Sequence, residues 1–509
     1  MSLLDKASLV QIPSGYKEDK LYSVVPDSGA GDFDFSRSSS ATRVNSEGLI
    51  ETAKVLGTTE EVTNGNFATN SDWNGSASIS NGQLTKTGNG LAYQGISGVS
   101  NGGLYKIVVD VQLSVASLKL YVGGTQVDLS QGVNTLNVTS RGLNNFVGFN
   151  NGYDSGTSIG AVINSISVIE YIENDVPRLD YSDASCACLL LEPQSTNLVT
   201  QSETFSNWGT EGGKQVVTQG VLISPDGTLN GNKLETYNST NSNQRKLWIA
   251  KTVTVGASYT FSVYIKQVSG QINSGFLHIT TGANDTFDVS QAYTATDQWQ
   301  RVSVTTNSAV SSQIRFLITG DANSQIYIWG GQVEQQSYPT SYIPTSGSTT
   351  TRTADVCNNA GTSATFNDSE GVLFAEMAAL SDDQTSRAIA IDGDGTNENR
   401  VIIQYQPSFS NQIRALLKNN DNSSVELTYV LSDITDYAKI AFKYKSGDLA
   451  LWVNGVERDT SSDIIFLSNL QELSFDNGRG SNNFFGKCKQ LIYFNQALTD
   501  TELEELTTI

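Results

Sequence analysis

Aromatic side chains that lie near amide and guanidinium groups are the residues of this chain best suited to chemistry. An aromatic ring can stack on the face of a pyranose sugar, while amides and guanidiniums hydrogen-bond neighbouring hydroxyls. The same rings also dominate protein interiors, so core packing is the competing interpretation. The binding candidates are Trp73, Tyr93, Trp208, Arg245, Trp248 and Tyr264.

Residues that would support catalysis are scarce. Glycoside hydrolysis requires two carboxyl groups at a defined separation, but Glu376 stands alone on its strand-like run and Asp382-Asp383 has the pattern of a turn. The single histidine, His278, lies in an apolar run, and no Gly-x-Ser-x-Gly motif accompanies it. We therefore predict that the chain is not an enzyme and that His278 is a structural residue of a strand.

Metal ligands are also few. Asp392 and Asp394 alternate with glycines and offer oxygen atoms suited to calcium, but the run lacks the full calcium loop with its closing glutamate. A solvated hairpin loop is the alternative. Cys186 and Cys188 flank one alanine, with no histidine or second cysteine pair nearby to complete a site. We expect no cofactor, with calcium at the two aspartates as the one exception.

Composition and charge exclude several classes of protein. A net charge of −21 leaves no basic field to neutralise phosphates, so nucleic acid is not an expected partner. No apolar run is long enough to span a bilayer, and the first residues lack the apolar core of a signal peptide. We expect no membrane insertion, and synthesis in a cytoplasm. Four cysteines in 509 residues are too few for a disulfide framework.

The elements that must position the candidate residues are β-strands. Runs such as Leu104–Val111 and Ser258–Ile265 alternate apolar and polar residues and are separated by turns rich in glycine, asparagine and serine. Asn454-Gly455 between apolar runs predicts a hairpin, and Thr499 with Glu502 predicts the cap of a short helix. The predicted fold class is all-β: tandem sandwiches of the jelly-roll kind, a small irregular N-terminal region and one short C-terminal helix.

An opening phrase that occurs twice indicates the domain organisation. Asn64-Gly-Asn-Phe67 leads to Trp73, and Ser202-Glu-Thr-Phe205 leads to Trp208. A repeated start at domain-sized spacing predicts two copies of one β module. The predicted divisions are an N-terminal region 1–57, a first jelly-roll module 58–173, a connector 174–197 paired with the N-terminal region, a second module 198–346 and a terminal sandwich 347–509.

Several phrases resemble those of bacteriophage virion-appendage proteins of the tail-fibre type. They are Phe35-Ser-Arg-Ser-Ser-Ser-Ala-Thr-Arg-Val-Asn45, Val176-Pro-Arg-Leu-Asp-Tyr181, Leu190-Leu-Glu-Pro-Gln-Ser-Thr-Asn-Leu198, Trp329-Gly-Gly-Gln-Val-Glu334 and Thr340-Ser-Tyr-Ile-Pro-Thr345. In many relatives the phrase Val-Asn-x-x-Gly-Leu-Ile-Glu, here residues 44–51, runs almost directly into the Val-Pro-Arg-Leu-Asp phrase, which supports an insertion at about 58–173. The two modules resemble jelly-roll carbohydrate-binding modules, and residues 347–509 resemble laminin-G or concanavalin-like sandwiches.

The resemblance implies a non-enzymatic virion component, commonly a homotrimer, that contacts host-surface polysaccharide. Its expected partners are copies of itself, other virion proteins through residues 1–57, and the glycan. Its expected location is the virion, after synthesis in the bacterial host cytoplasm. Two alternatives stay open: a purely architectural head, neck or tail decoration protein, and a polysaccharide depolymerase. The inserted module is the expected place for a specialised contact.

Overall fold

In a computed structural model, the chain folds into two compact units. The small unit is Lys54–Glu173, and the large unit is Met1–Ala53 together with Asn174–Ile509. Antiparallel sandwich-like sheets dominate the structure, and the predicted all-β class is confirmed. Among the described residues, no helix has the length and apolar character needed to cross a bilayer. The structure describes residues 3–97, 99, 101–112, 118–150, 159–183, 186–211, 213, 215–237, 245–280, 288–307, 309, 311–393, 398–406, 409–421 and 423–509.

The N-terminal segment contains a 3-10 turn at Leu3–Lys6 and six short strands. These are β1 (Leu9–Gln11), β2 (Tyr16–Lys17), β3 (Lys20–Leu21), β4 (Phe33–Ser36), β5 (Thr42–Val44) and β6 (Ile50–Thr52). Phe33 and Phe35 alternate with half-buried or exposed residues in β4 and are themselves buried. The strand predicted from that alternation is confirmed.

The small unit is a sandwich of two antiparallel sheets. Its strands are β7 (Val55–Leu56), β8 (Asn74–Gly75), β9 (Ala77–Ser80), β10 (Gln83–Lys86), β11 (Ala92–Gly95), β12 (Asn101–Gln112), β13 (Lys119–Val122), β14 (Thr125–Asp128), β15 (Gly132–Arg141), β16 (Phe146–Asn150) and β17 (Val162–Ile172). One sheet has the order β15-β12-β17-β10-β9 with β7 on β17, and the other has the order β14-β13-β16-β11-β8. Alternate residues of β12, such as Ile107 and Val109, are fully buried and pack with Leu120 and Phe149 of the other sheet.

The large unit contains a second sandwich. After β18 (Leu179–Asp180), β19 (Cys188–Leu191), β20 (Ser195–Asn197) and a 3-10 turn at Phe205–Asn207, its strands are β21 (Gly209–Glu211), β22 (Gln215–Leu222), β23 (Gly231–Thr236), β24 (Lys246–Thr252), β25 (Tyr259–Gln267), β26 (Ser274–Thr280), β27 (Val289–Thr294), β28 (Gln300–Thr306), β29 (Gln313–Gly320) and β30 (Gln325–Glu334). The sheets β21-β24-β29-β26-β27 and β22-β23-β30-β25-β28 enclose one apolar core.

The terminal sandwich follows. Its elements are β31 (Thr350–Arg352), β32 (Val356–Asn358), β33 (Glu370–Ala379), β34 (Arg387–Asp392), β35 (Arg400–Tyr405), β36 (Gln412–Lys418), β37 (Ser424–Val430), β38 (Ala438–Lys445), β39 (Leu449–Val453), β40 (Val456–Ser461), β41 (Glu472–Ser474), β42 (Gly486–Phe494) and helix α1 (Asp500–Thr507). One sheet has the order β18-β19-β42-β33-β38-β39-β40 with β1 on β42, and the other has the order β37-β36-β35-β34-β41. Smaller sheets are β2-β3-β4-β32, β20-β31 and β5-β6.

The N-terminal segment and the connector are parts of the terminal sandwich. Leu9 of β1 pairs with Tyr493 of β42, and β19 pairs along the same strand. Leu9, Phe33 and Leu189 are buried in the core that the terminal sandwich encloses. The terminal sandwich therefore needs strands from both ends of the sequence.

Two local predictions are confirmed. Asn454 (φ 52°) and Gly455 (φ 77°) form the turn between β39 and β40, because a tight hairpin turn requires positive φ at both positions. Thr499 caps α1 by accepting a hydrogen bond from the Glu502 backbone N–H, and the Glu502 carboxylate accepts one from the Thr499 N–H.

A buried network of ion pairs joins four segments of the large unit. Arg178 pairs with both Glu192 and Asp355, Arg37 Nη1 lies 2.9 Å from Asp355 Oδ1, and Arg352 Nη1 lies 2.7 Å from Glu192 Oε2. All five side chains are at most 3% exposed. Burial by itself would raise the pKa of Glu192, but the guanidiniums of Arg352 and Arg178 outweigh it and hold that pKa well below its usual range.

Candidate functional site

The outer face of one sheet of the small unit carries a row of side chains set by the strand register. Tyr121 of β13 pairs with Gln126 of β14 and with Gly148 of β16, and Gly148 pairs with Tyr93 of β11. Paired residues share a face of the sheet, and the buried neighbour Leu120 points to the other face. Two tyrosines therefore flank a glycine on the outer face.

Gly148 keeps the space between the two tyrosines open. A Cβ atom at this position would lie 2.5 Å from the Ala92 carbonyl oxygen and 2.9 Å from the Tyr93 Cβ. No side chain fits there without moving the backbone of β11. Close approach of the two strands is the reason for a glycine in this strand interior.

A pocket of about 430 Å³, here called the tyrosine pocket, opens beside this row. Its volume falls within the ordinary range for small-ligand sites. The ring of Phe146 lies in its wall, and the Tyr93 ring extends the aromatic surface, with its centroid 5.5 Å from that of Phe146. The lining residues are Leu91, Tyr121, Gly124, Gln126, Arg141, Leu143, Asn144, Phe146 and Asn150.

Two polar groups of the tyrosine pocket are available to a ligand. The exposed Arg141 side chain makes no hydrogen bond or ion pair with the described residues. The Asn144 Oδ1 atom is buried and also has no hydrogen-bond partner among them. A buried acceptor without a partner destabilises a protein, so a hydroxyl donor from a ligand would be favourable here.

The arrangement of the described lining residues suits binding. Aromatic rings provide flat apolar contact area, and the guanidinium and amides can bond to hydroxyls. No carboxylate lines the tyrosine pocket as far as the structure describes it. A glycosidase needs two such groups.

The structure separates the two candidates predicted in the small unit. Tyr93 lies on the outer face and is 36% exposed. Trp73 instead packs against the core, with its ring centroid 5.6 Å from that of Phe149 in a stacked geometry and 5.5 Å from that of Phe67. Only Tyr93 is placed to meet a ligand.

The second sandwich holds Trp208, Trp248 and Arg245 in different surroundings. Trp208 is a core residue, 5% exposed, and its indole N–H donates to the Gln201 carbonyl at 3.1 Å. Trp248 is half-buried on the outer face of its sheet, and the Arg315 guanidinium lies 4.5 Å from its ring centroid. Arg245, just before β24, is half-buried. The ring of Trp248 is already partly covered.

His278 lies in β26, as the prediction of a strand residue required. Its Nδ1 is 2.7 Å from Ser290 Oγ and its Nε2 is 3.0 Å from Thr319 Oγ1. Burial, together with the positive charge of Lys246, lowers the pKa of His278 to about 4. The imidazole is therefore neutral near pH 7 and held by hydroxyls.

The remaining predicted residues lie elsewhere in the large unit. Tyr264 lines a second, larger cavity. Asp392 is buried at the end of β34, whereas Asp394 lies outside the described residues. No cluster of three or more histidine, cysteine, aspartate or glutamate residues that could hold a metal occurs in the described part of the chain. Calcium at this loop stays a prediction.

Sequence reasoning missed most of the tyrosine pocket. Tyr121, Phe146 and Asn150 alternate with buried residues along β13 and β16, and that alternation was a usable signal for an outward face. Arg141 is the last residue of β15, and Asn144 lies in the turn between β15 and β16. No local pattern predicts where that turn folds.

No family model and no curated protein matches this chain. Among solved structures, it is similar to the CBM40 module of Ruminococcus gnavus IT-sialidase bound to alpha2,3 sialyllactose, at 14% identity and a TM-score of 0.25, covering 28% of this chain and 84% of that one. It is also similar to domain 4 of AbnA, a GH43 extracellular arabinanase from Geobacillus stearothermophilus, in complex with arabinotriose (11% identity, TM-score 0.25, 30% of this chain and 73% of that one). A CBM4 structure covers 27% of this chain and 100% of its own length at 16% identity and a TM-score of 0.22. Each of these similarities covers at most 30% of this chain.

Proposed function

We propose that the small unit binds a host-surface glycan in the tyrosine pocket. The observation that carries this proposal is the meeting of three aromatic rings, from Tyr93, Tyr121 and Phe146, with the unpartnered Arg141 guanidinium and Asn144 carbonyl. Sugars present apolar ring faces edged by hydroxyls. The aromatic rings can stack on those faces, and the guanidinium and amide groups can hydrogen-bond the hydroxyls. Binding without hydrolysis follows from the lack of a carboxylate pair in the described lining.

We further propose that the whole chain is a non-enzymatic bacteriophage virion appendage of the tail-fibre type, assembled as a homotrimer. The phrases resembling such proteins support this assignment. Residues 1–57 would contact other virion proteins, and the exposed apolar side chains of Leu4, Tyr22 and Val24, 45%, 38% and 50% exposed, supply surface for that contact. Immunogold labelling of intact particles tests the assignment, and a chain absent from the particle would contradict it.

The test of glycan binding uses the full chain on an array of bacterial surface polysaccharides, followed by calorimetry with the glycans that bind. Tyr121→Ala and Arg141→Ala should each weaken the Kd about tenfold, because each removes one stacking surface or one charge-assisted hydrogen bond. The matched control is Tyr237→Ala, which removes a 47% exposed tyrosine of the large unit and should leave binding unchanged.

Two results would contradict the proposal. One is equal affinity in wild type and both pocket variants while their folding is intact. The other is shortening of the polysaccharide during incubation, measured by size-exclusion chromatography, because it would make the chain a depolymerase.

A further inference from the structure

A second cavity, of about 890 Å³, lies within the large unit and has no role in the function proposed above. One wall is the outer face of the sheet containing β25 and its neighbour β28. The other walls include residues from the segments 42–50, 180–182, 222–225 and 339–342. This space is here called the large cavity.

Four side chains on β25, on β28 and just before β28 line its wall. Tyr264 pairs directly with Arg301, Ile265 pairs with Gln300, and Trp299 directly precedes β28. Tyr264 and Lys266 are two positions apart on one strand and therefore share a face. All four line the large cavity, so two aromatic rings and two cations alternate on one patch.

The aromatic members of this group are held firmly. The Trp299 indole N–H donates to the Ile223 carbonyl oxygen at 3.1 Å. Trp299 and Tyr264 both pack against the buried residues Ile50, Trp329 and Tyr342. A rigid ring loses little conformational entropy when a ligand stacks on it.

Three of the seven charged side chains that line the large cavity form ion pairs with residues of opposite charge. Glu192 belongs to the buried network, Arg43 Nη2 lies 3.0 Å from Glu51 Oε1, and Lys487 Nζ lies 2.5 Å from Asp183 Oδ2. The Asp180 carboxylate accepts hydrogen bonds from the Val44 and Ser182 backbone N–H groups, each at 2.9 Å. The third acid of the lining, Glu47, is exposed to solvent.

Lys266 and Arg301 have no acidic partner in the part of the chain that the structure describes. Lys266 makes no hydrogen bond or ion pair with the described residues. Arg301 donates only to neutral acceptors, the Thr340 carbonyl oxygen and Ser262 Oγ, and its Nε is buried without a partner. Within the described ranges, the two cations beside these rings therefore have no anionic side chain as a partner.

We propose that the large cavity binds an acidic saccharide, with a sugar ring on Trp299 or Tyr264 and its carboxylate on Lys266 and Arg301. Charge-assisted hydrogen bonds to carboxylates are stronger than neutral ones, and the guanidinium geometry suits a carboxylate. This site is separate from the tyrosine pocket and does not depend on it.

Calorimetry on the full chain tests the proposal with tetragalacturonate as the probe and its methyl ester as the uncharged counterpart. The acid should bind and the ester should bind at least ~10-fold more weakly. Lys266→Gln should weaken acid binding by a similar factor, and Lys266→Arg should restore it because the positive charge returns. Lys418→Gln, which removes a lysine of the terminal sandwich, is the matched control and should bind as wild type does.

Equal affinity for acid and ester would overturn the proposal, as would undiminished binding by the folded Lys266→Gln variant. Tyr121→Ala should not change tetragalacturonate binding. Failure of this site is therefore distinguishable from failure of the tyrosine pocket.

Discussion

At the scale of single residues, the phrases that resemble virion appendages contain the residues of a buried polar lattice. Besides the ion pairs of Arg178 and Glu192, Ser195 Oγ donates to Glu334 at 2.7 Å, and Gln332 accepts from the Ile343 N–H at 2.7 Å. Buried polar groups are stable only when they are paired. These phrases therefore position segments of the large unit, while the ligand contacts proposed in the small unit come from outside them.

Glu192→Gln should destabilise the large unit by about 3–5 kcal/mol, because it removes the acidic partner of buried Arg352 and leaves buried Arg178 with Asp355 alone. Since the folded-state pKa of Glu192 is depressed below the usual 4.5, its ionised form stabilises the fold above pH 4.5, and that contribution is lost as the pH falls further. Denaturant unfolding at pH 7 and pH 3 measures both effects.

Glu457→Gln, at an exposed position of β40, is the control and should unfold like wild type at both pH values. A Glu192→Gln variant with unchanged stability at pH 7 would show that the network contributes no net stability.

At the scale of elements, strand register brings the proposed contacts of the small unit together. Tyr93 and Tyr121 belong to strands that are separated in sequence but both pair with β16. The absence of a side chain at Gly148 allows β11 and β16 to approach closely. The geometry of the tyrosine pocket is therefore a property of strand pairing as much as of its side chains.

Gly148→Ala should lower the stability of the small unit by about 1–3 kcal/mol, because its Cβ would overlap the Ala92 carbonyl. It should also weaken glycan binding by displacing Tyr93. Thermal unfolding and the calorimetry described above measure the two effects.

Gly95→Ala is a matched control on the neighbouring strand β11. Its Cβ would lie 3.8 Å from the Asn145 carbonyl oxygen, an ordinary contact. If both alanine variants unfold alike, the close approach at Gly148 is not the cause.

Sequence patterns predicted the elements better than their assembly. Alternation predicted the strand at Phe33, and turn and cap chemistry predicted Asn454-Gly455 and Thr499, because these signals are local. The pairing of Leu9 with Tyr493 has no local signal, since it joins the two ends of the chain. The same limit explains Trp73: an aromatic residue beside a turn can face inward or outward, and tertiary packing decides.

At the scale of the whole molecule, the chain enters and leaves the small unit through two strands that pair with each other, β7 and β17. Leu56 pairs with Tyr171 and Val55 with Ile172. The ends of the insertion are therefore adjacent, and removing it leaves only a short gap to close.

A chain in which a short Gly-Ser linker replaces residues 54–173 should keep the large unit folded, with a Tm within a few degrees of its wild-type transition. It should lose binding to the glycan of the tyrosine pocket and keep binding to tetragalacturonate. Differential scanning calorimetry and titration measure these outcomes. Unfolding of the large unit would show instead that it needs the insertion for stability.

Within the small unit, the attachment to the rest of the chain and the proposed recognition surface belong to different sheets. The chain enters and leaves through β7 and β17 of the six-stranded sheet, whereas the tyrosine pocket lies on the five-stranded sheet. Substitutions can therefore accumulate on the recognition face without disturbing the strands that tie the insertion to its host chain. Such a division allows specificity to diversify rapidly while the join stays unchanged, and one framework can carry many versions of the same insert.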